Sequence, residues 1–250
     1  MLPLYNTITD IRQAFAEKYL RNDIVTNDTG SLSGADTIEI LGASFLADEE
    51  SIFGKPNREY IQREIDWYIS RSLNVNDIPG GPPKIWSAVA SPEGLINSNY
   101  GFLIFDKSNY SQCLNVVNTL VESPSSRRAS MIYNRPSMHE DYNRGGMQDF
   151  CCTNVVQYII RDNALHVVVQ MRSGDSIFGY LNDRGWQVYV QDFVRRSINE
   201  RTKLNLTLGT IHWNVASLHI YEKHFYYLDH FVKTGEHHIK KSDYDKLYAK

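Results

Sequence analysis

The chain has 250 residues, 42% of them hydrophobic, and a net charge of −3; that is enough to bury one substantial core, and no shift in composition demands a second domain. The mildly acidic balance argues against a nucleic-acid binder working through a basic surface, and no run approaches the roughly 20 apolar residues of a membrane-spanning helix. Three cysteines, Cys113 and the adjacent Cys151 and Cys152, read as reduced thiols in a cytoplasmic setting, and the first residues show no basic-then-apolar signal pattern.

Along the chain, Ile11, Ala14, Phe15 and Tyr19 recur at helical spacing behind Thr9-Asp10, which reads as a cap. A stretch rich in Asn, Gly and Ser, Asn27 to Gly34, predicts a loop leading to a short strand, Thr37-Ile-Glu-Ile-Leu41. A second helix is expected from Asn57 to Leu73, then a hard break at Pro79-Gly-Gly-Pro-Pro83. A third helix fits Tyr110 to Val121, with Leu114, Val117 and Val121 on its apolar face. Strands follow at Ser130–Tyr133, Thr153–Ile160 and Leu165–Met171, the last two joined by a hairpin turn at Arg161-Asp-Asn-Ala164. A helix from Asn182 to Asn199, strands Gly209–Trp213 and Ser217–Tyr221, and a helix from His224 to Lys233 complete an α+β chain, expected to be one domain over 1–250.

Two features carry chemistry. Cys151-Cys152 opens one strand, and Arg172-Ser173 ends the next beside a turn, which sets a thiol nucleophile beside a guanidinium and hydroxyl able to grip phosphate. Glu64 falls on the apolar face of its helix with Tyr60, Ile61, Ile65 and Tyr68. A carboxylate turned inward is either paired with an arginine or holds its proton as an acid/base group. Arg127-Arg128 read as a solvated basic pair unless a phosphate meets them, and His219 and Tyr221, alternating on one strand face, either pack in the core or hold a hydroxyl. The histidine and cysteine spacings fit no standard zinc pattern, so no metal is expected.

Together these residues resemble the thymidylate synthase superfamily, and more narrowly its bacteriophage hydroxymethylase branch, which acts on deoxycytidylate (dCMP). The likeness covers nearly the whole chain through Thr37-Ile-Glu-Ile-Leu-Gly-Ala-Ser-Phe45, Tyr60-Ile-Gln-Arg-Glu64, Lys84-Ile-Trp86, Asn97-Ser-Asn-Tyr-Gly101, Ser126-Arg-Arg128, Cys152-Thr-Asn-Val-Val-Gln157, Met171-Arg-Ser173, Asn182-Asp183 and Ser217-Leu-His-Ile-Tyr221. It implies a central mixed β-sheet flanked by helices, in a homodimer joined sheet to sheet. Its co-substrate would be 5,10-methylenetetrahydrofolate, with no metal. The resemblance puts the nucleophile at Cys152, five residues before Gln157, with Gln157 among the substrate contacts. Arg172 and Ser173 would grip the phosphate, joined by Arg127 and Arg128 from the second subunit. His219 and Tyr221 would hold the deoxyribose 3′-hydroxyl, Glu64 and Tyr100 would manage protons and water over the base, and Ile85, Trp86, Asp175 and Gly179 would line the folate side.

Base choice would rest on Asp183, where thymidylate synthases have Asn: a carboxyl sharing a proton with cytosine N3 can accept from N4, reversing the uracil pattern. If Asp183 opens a helix, as the pattern suggests, capping is its competing use, and a slip by one residue to Asn182 would restore uracil chemistry. Departures from the family are Asp28-Thr29-Gly30, where relatives carry a basic residue before Thr-Gly, Thr153 in place of a synthase histidine, and a dissimilar C-terminal end. Rival expectations are a dUMP hydroxymethylase or thymidylate synthase, and an inactive structural subunit of a nucleotide-synthesis complex or an RNA-binding regulator. Contacts with other nucleotide-synthesis enzymes fit the enzymatic and the structural readings; the lack of a basic stripe weakens the RNA-binding one, and no direct binding to nucleic acid or membrane is expected. For a phage protein the cytoplasm would be the host's.

Overall fold

The computed structural model describes residues 5–26 and 35–248; the loop expected over 27–34, with the departure at 28–30, lies outside them. In chain order the elements are α1 (Ile8–Leu20), β1 (Thr37–Leu46), α2 (Arg58–Ser70), α3 (Lys84–Val89), α4 (Tyr100–Phe105), α5 (Gln112–Glu122), β2 (Ser130–Ile132) and α6 (Met138–Asp141). They continue with β3 (Thr153–Arg161), β4 (Ala164–Asp175), α7 (Phe178–Arg201), β5 (Thr207–Tyr221), α8 (Phe225–Thr234) and α9 (Lys241–Tyr248).

Contacts gather the described residues into two compact units, each discontinuous in sequence: a first of 5–26, 35–56, 172–185 and 212–248, and a second of 57–171 and 186–211. The strand order is β1-β5-β4-β3-β2. In the first unit β1 pairs antiparallel with β5, from Thr37 opposite Tyr221 to Leu46 opposite His212. In the second, β3 pairs antiparallel with both β2 and β4, with an irregularity between Thr153 and Val155. β4 and β5 contribute residues to both units and run side by side in the same direction: His166 meets Thr210 in the second, and Gly174 lies against Val215 and Leu218 in the first. The sheet is therefore mixed, and α7 is the crossover that a parallel step requires.

Local chemistry sets the boundaries. α1 starts earlier than Thr9-Asp10 implies, because Thr7 and Asp10 form a reciprocal capping box in which the Asp10 carboxylate accepts from the Thr7 N–H at 2.7 Å. α2 is capped by Asn57, which accepts from the Tyr60 N–H at 3.1 Å, and stops at Arg71 with φ +61°, short of Leu73. β1 runs on to Leu46, and the two strands expected near the end are one, β5. The hairpin between β3 and β4 holds as expected, with φ of +50° at Asp162 and +58° at Asn163, the pair of left-handed residues that a tight hairpin favours.

α5 corrects the expected apolar face. Tyr110 and Ser111 adopt positive φ, the helix begins at Gln112, and the buried stripe is Cys113, Val116, Val117 and Leu120, leaving Leu114 exposed. α7 is a second correction. It begins at Phe178 rather than Asn182, so Asp183 lies inside the helix and does not cap it. The cap falls to Asp175, whose carboxylate accepts from the backbone N–H groups of Ile177, Phe178 and Gly179 at 3.0–3.3 Å.

Candidate active site

In the second unit the site residues hang on α2, α4 and the segment before β3. Glu64 faces inward as the stripe requires and is 5% exposed. Its Oε1 accepts from the Tyr60 hydroxyl at 2.7 Å and from the Trp86 indole N–H at 2.8 Å. No arginine pairs with it among the described residues, so of its two readings the protonatable acid is the one its surroundings fit. Burial raises its pKa, against the opposing pull of those two donors. Trp86 is half-buried and packs edge-on against Trp67 at 5.2 Å between ring centroids, while its neighbour Ile85 is exposed.

Tyr100 opens α4 and is buried. It stacks on Tyr68 at 5.2 Å and meets Tyr133 edge-on, and its hydroxyl accepts from Thr153 Oγ1 at 3.0 Å. Gly101 makes this stacking possible: a Cβ there would lie 1.7 Å from the Tyr68 carbonyl oxygen, so α2 and α4 touch backbone to backbone.

The paired cysteines part company. Cys151 is fully buried, its thiol donates to the Thr153 carbonyl at 3.2 Å, and burial pushes its pKa well up, helped by Cys152 and Asp149. Cys152 is half-buried, with Sγ 4.0 Å from the Phe150 carbonyl. A sealed thiol stays protonated and inert, so accessibility favours Cys152 as nucleophile. Asp149 is a residue that pattern reasoning missed. Buried, it accepts from the backbone N–H groups of Asn97 and Ser98 at 2.7 Å each and from the Ser98 hydroxyl at 2.8 Å, tying the segment that leads into Tyr100 to the one that leads into Cys152. Its signal was an acidic residue directly before the apolar Phe150-Cys-Cys152. Gln157, on β3, donates its amide to the Arg127 carbonyl at 2.6 Å, and Arg127 and Arg128 themselves are exposed.

In the first unit, Arg172 and Ser173 lie within β4, which runs on to Asp175, rather than at its end. The His219 and Tyr221 rings pack edge-on at 4.9 Å. Burial lowers the His219 pKa; the Asp175 and Glu39 carboxylates pull it back up, and Arg172 adds to the lowering. A neutral imidazole here can exchange hydrogen bonds with a hydroxyl. Ser217 donates to Glu39 on the facing strand. Asp175, with Gly179 among its N–H donors, caps α7, and Asp183 and Asn182 are half-buried one turn further on. Among the described residues no group of three metal-ligating side chains converges, and no helix is long and apolar enough to cross a membrane.

The thymidylate synthase family model matches residues 55–244. The deoxycytidylate 5-hydroxymethyltransferases of Enterobacteria phages T4 and T6 are 51% and 52% identical, over 97% and 95% of this chain and 98% and 96% of theirs. A thymidylate synthase of Francisella tularensis subsp. holarctica is 23% identical, over 83% of this chain and 78% of its own. Thermostable thymidylate synthase A from Bacillus subtilis shares the fold with a TM-score of 0.67 at 20% identity, covering 91% of this chain and 84% of that one. With both the sequence model and the architecture in agreement, the chain belongs to the thymidylate synthase family.

Proposed function

We propose that the protein transfers a one-carbon unit from 5,10-methylenetetrahydrofolate to C5 of dCMP and adds water, giving 5-hydroxymethyl-dCMP and tetrahydrofolate. The accessible Cys152 beside a sealed Cys151, in a chain so like two phage enzymes named for this reaction, is the observation that supports the reading most. Cys152 sulfur adds to C6 of the pyrimidine, and the C5–C6 electron pair makes C5 the nucleophile toward the folate's one-carbon unit. Loss of the C5 proton expels tetrahydrofolate and leaves an exocyclic methylene. Water adds to that carbon, and departure of the Cys152 thiolate restores the ring double bond. Glu64, buried and held between Tyr60 and Trp86, is suited to trade a proton with that water, and Tyr100 orders the water over the base.

Arg172 and Ser173 grip the 5′-phosphate, and neutral His219 with Tyr221 holds the 3′-hydroxyl. Asp183 reads the amino edge of cytosine; its place inside α7 removes the capping role that competed for it. The folate side consists of Ile85, Trp86, Asp175 and Gly179. The exposed Ile85 and half-buried Trp86 suit a flat heterocycle, and Asp175 Oδ1 accepts one N–H in the cap and keeps a second lone pair for a ligand. The working unit is a homodimer in which Arg127 and Arg128 reach the partner's phosphate. Two things support it: both arginines are exposed, and one sheet face in the second unit is uncovered, with Val155, Gln157, Ile159, His166 and Val168 half-buried where the alternating Val156, Tyr158, Leu165, Val167 and Val169 are buried. The protein works in a reducing cytoplasm.

The test incubates the protein with methylenetetrahydrofolate and either dCMP or dUMP and identifies the products by mass. Hydroxymethyl-dCMP with tetrahydrofolate supports the reading. A methylated dUMP with dihydrofolate reassigns the chain to thymidylate synthesis, hydroxymethyl-dUMP reassigns the base, and no turnover of either nucleotide favours a structural role.

A further inference from the structure

Arg63 stands one residue before Glu64 on α2, and the chemistry proposed above leaves it unused. Its guanidinium is spent on backbone: Nη2 donates to the Gly81 carbonyl at 2.8 Å and Nε to the Pro79 carbonyl. The same group lies 5.8 Å from the centroid of the Tyr60 ring, within cation–π range. The loop it grips, Pro79-Gly-Gly-Pro-Pro83, is shaped for this contact. Gly80 and Gly81 take φ of +78° and +86°, and a Cβ on Gly80 would lie 2.8 Å from the guanidinium carbon. Prolines donate no hydrogen bond, and α3 starts directly after Pro83 without a side-chain cap. A short helix begun this way depends on outside contacts for its placement, and it delivers Trp86, whose indole N–H meets Glu64.

One side chain thus braces both donors on Glu64 Oε1: Tyr60 through its ring, and Trp86 through the loop that starts α3. We propose that Arg63 is a positioning residue which, by clamping the Pro79–Pro83 loop to α2, holds Trp86 and Tyr60 against Glu64 and so fixes the carboxyl that handles water in the reaction. This rests on the role proposed for Glu64, and the test keeps the two separable. A fork of two carbonyl acceptors calls for the planar, multi-donor guanidinium, so lysine is not an equivalent.

The tryptophans supply a readout independent of turnover. Of the four, Trp67, Trp186 and Trp213 are 0%, 0% and 1% exposed, so collisional quenching of fluorescence by acrylamide reports Trp86. In the full-length protein, Arg63→Ala is expected to raise the quenching constant about twofold and lower kcat for hydroxymethyl transfer about tenfold, with KM for dCMP unchanged, as a misplaced group rather than a lost substrate contact would do. Arg63→Lys should recover only part of both. Gly80→Ala, which pushes the guanidinium off the loop, should reproduce both, and these two variants carry the test if Arg63→Ala fails to fold. Unchanged quenching overturns the clamp, and raised quenching with unchanged kcat overturns its catalytic purpose. Glu64→Gln is measured in parallel: full turnover there removes the role of Glu64, and with it the catalytic half of the inference, while the quenching result still decides whether Arg63 holds Trp86.

Discussion

Adjacent side chains of one type differ in accessibility here, Cys151 being sealed and Cys152 half-buried. Cys152→Ser should lower turnover on the order of 10⁴-fold, since a hydroxyl is a far poorer nucleophile. Cys151→Ala should keep most of the turnover and cost about 1 kcal/mol in stability, checked by steady-state rates and urea unfolding. Asp183→Asn should move preference from dCMP toward dUMP by up to roughly 10⁴-fold in the ratio of kcat/KM values, and an unchanged ratio would remove the base-reading role. Glu64 makes a prediction about pH. Burial raises its pKa, so the folded chain holds the proton more tightly than the unfolded one. Its contribution to stability is therefore full below the unfolded value and drains away as pH rises through the folded value. Glu64→Gln cannot ionise and keeps a carbonyl for Tyr60 and Trp86, so its melting temperature should gain on the parent's as pH rises above the ordinary glutamate range. The inward turn of Glu64 was legible because a helix stripe fixes direction. Its donor Trp86, 22 residues away on a six-residue helix, was not, because nothing periodic links them.

Elements were legible where period and cap coincide, as in α2 behind Asn57 or the hairpin at Asp162-Asn163. They were not where a polar side chain had two equivalent offers. Asp175 and Asp183 each suit a helix start, and only backbone geometry shows that Asp175 takes it. The apolar face of α5 was misplaced because the helix starts at Gln112 rather than Tyr110, and the stripe runs through Cys113, which packs as a small hydrophobe, with Leu114 left outside. At this scale the contact of α2 with α4 is the most sensitive to change. Gly101→Ala must separate two backbones now in contact, so a loss of about 3 kcal/mol or more is expected in chemical denaturation, with turnover falling as Tyr68 and Tyr100 unstack.

At the scale of the whole molecule, the mixed sheet and its helical cover were legible as a resemblance, because that likeness ran through nearly the full chain. The division of contacts into two units was not, since each is stitched from separate segments and the chain passes between them inside β4 and β5. The proposed dimer yields a test by complementation. A Cys152→Ser chain and an Arg127→Ala/Arg128→Ala chain, each inactive alone, should on mixing and reassortment recover about a quarter of the parental activity, because only mixed dimers own one intact site. Recovery of none would return Arg127 and Arg128 to the chain that carries them.

The sealing of the other thiols has a practical consequence for anyone counting working molecules. Cys151 is shut away with its proton, and Cys113 is buried with its pKa pushed up to about 12, which leaves Cys152 as the accessible sulfur of the three. A mild alkylating or disulfide-exchange reagent should consume one equivalent per native chain and three after denaturation. The native count then serves as a titrant of functional centres, and dCMP should slow it in proportion to occupancy.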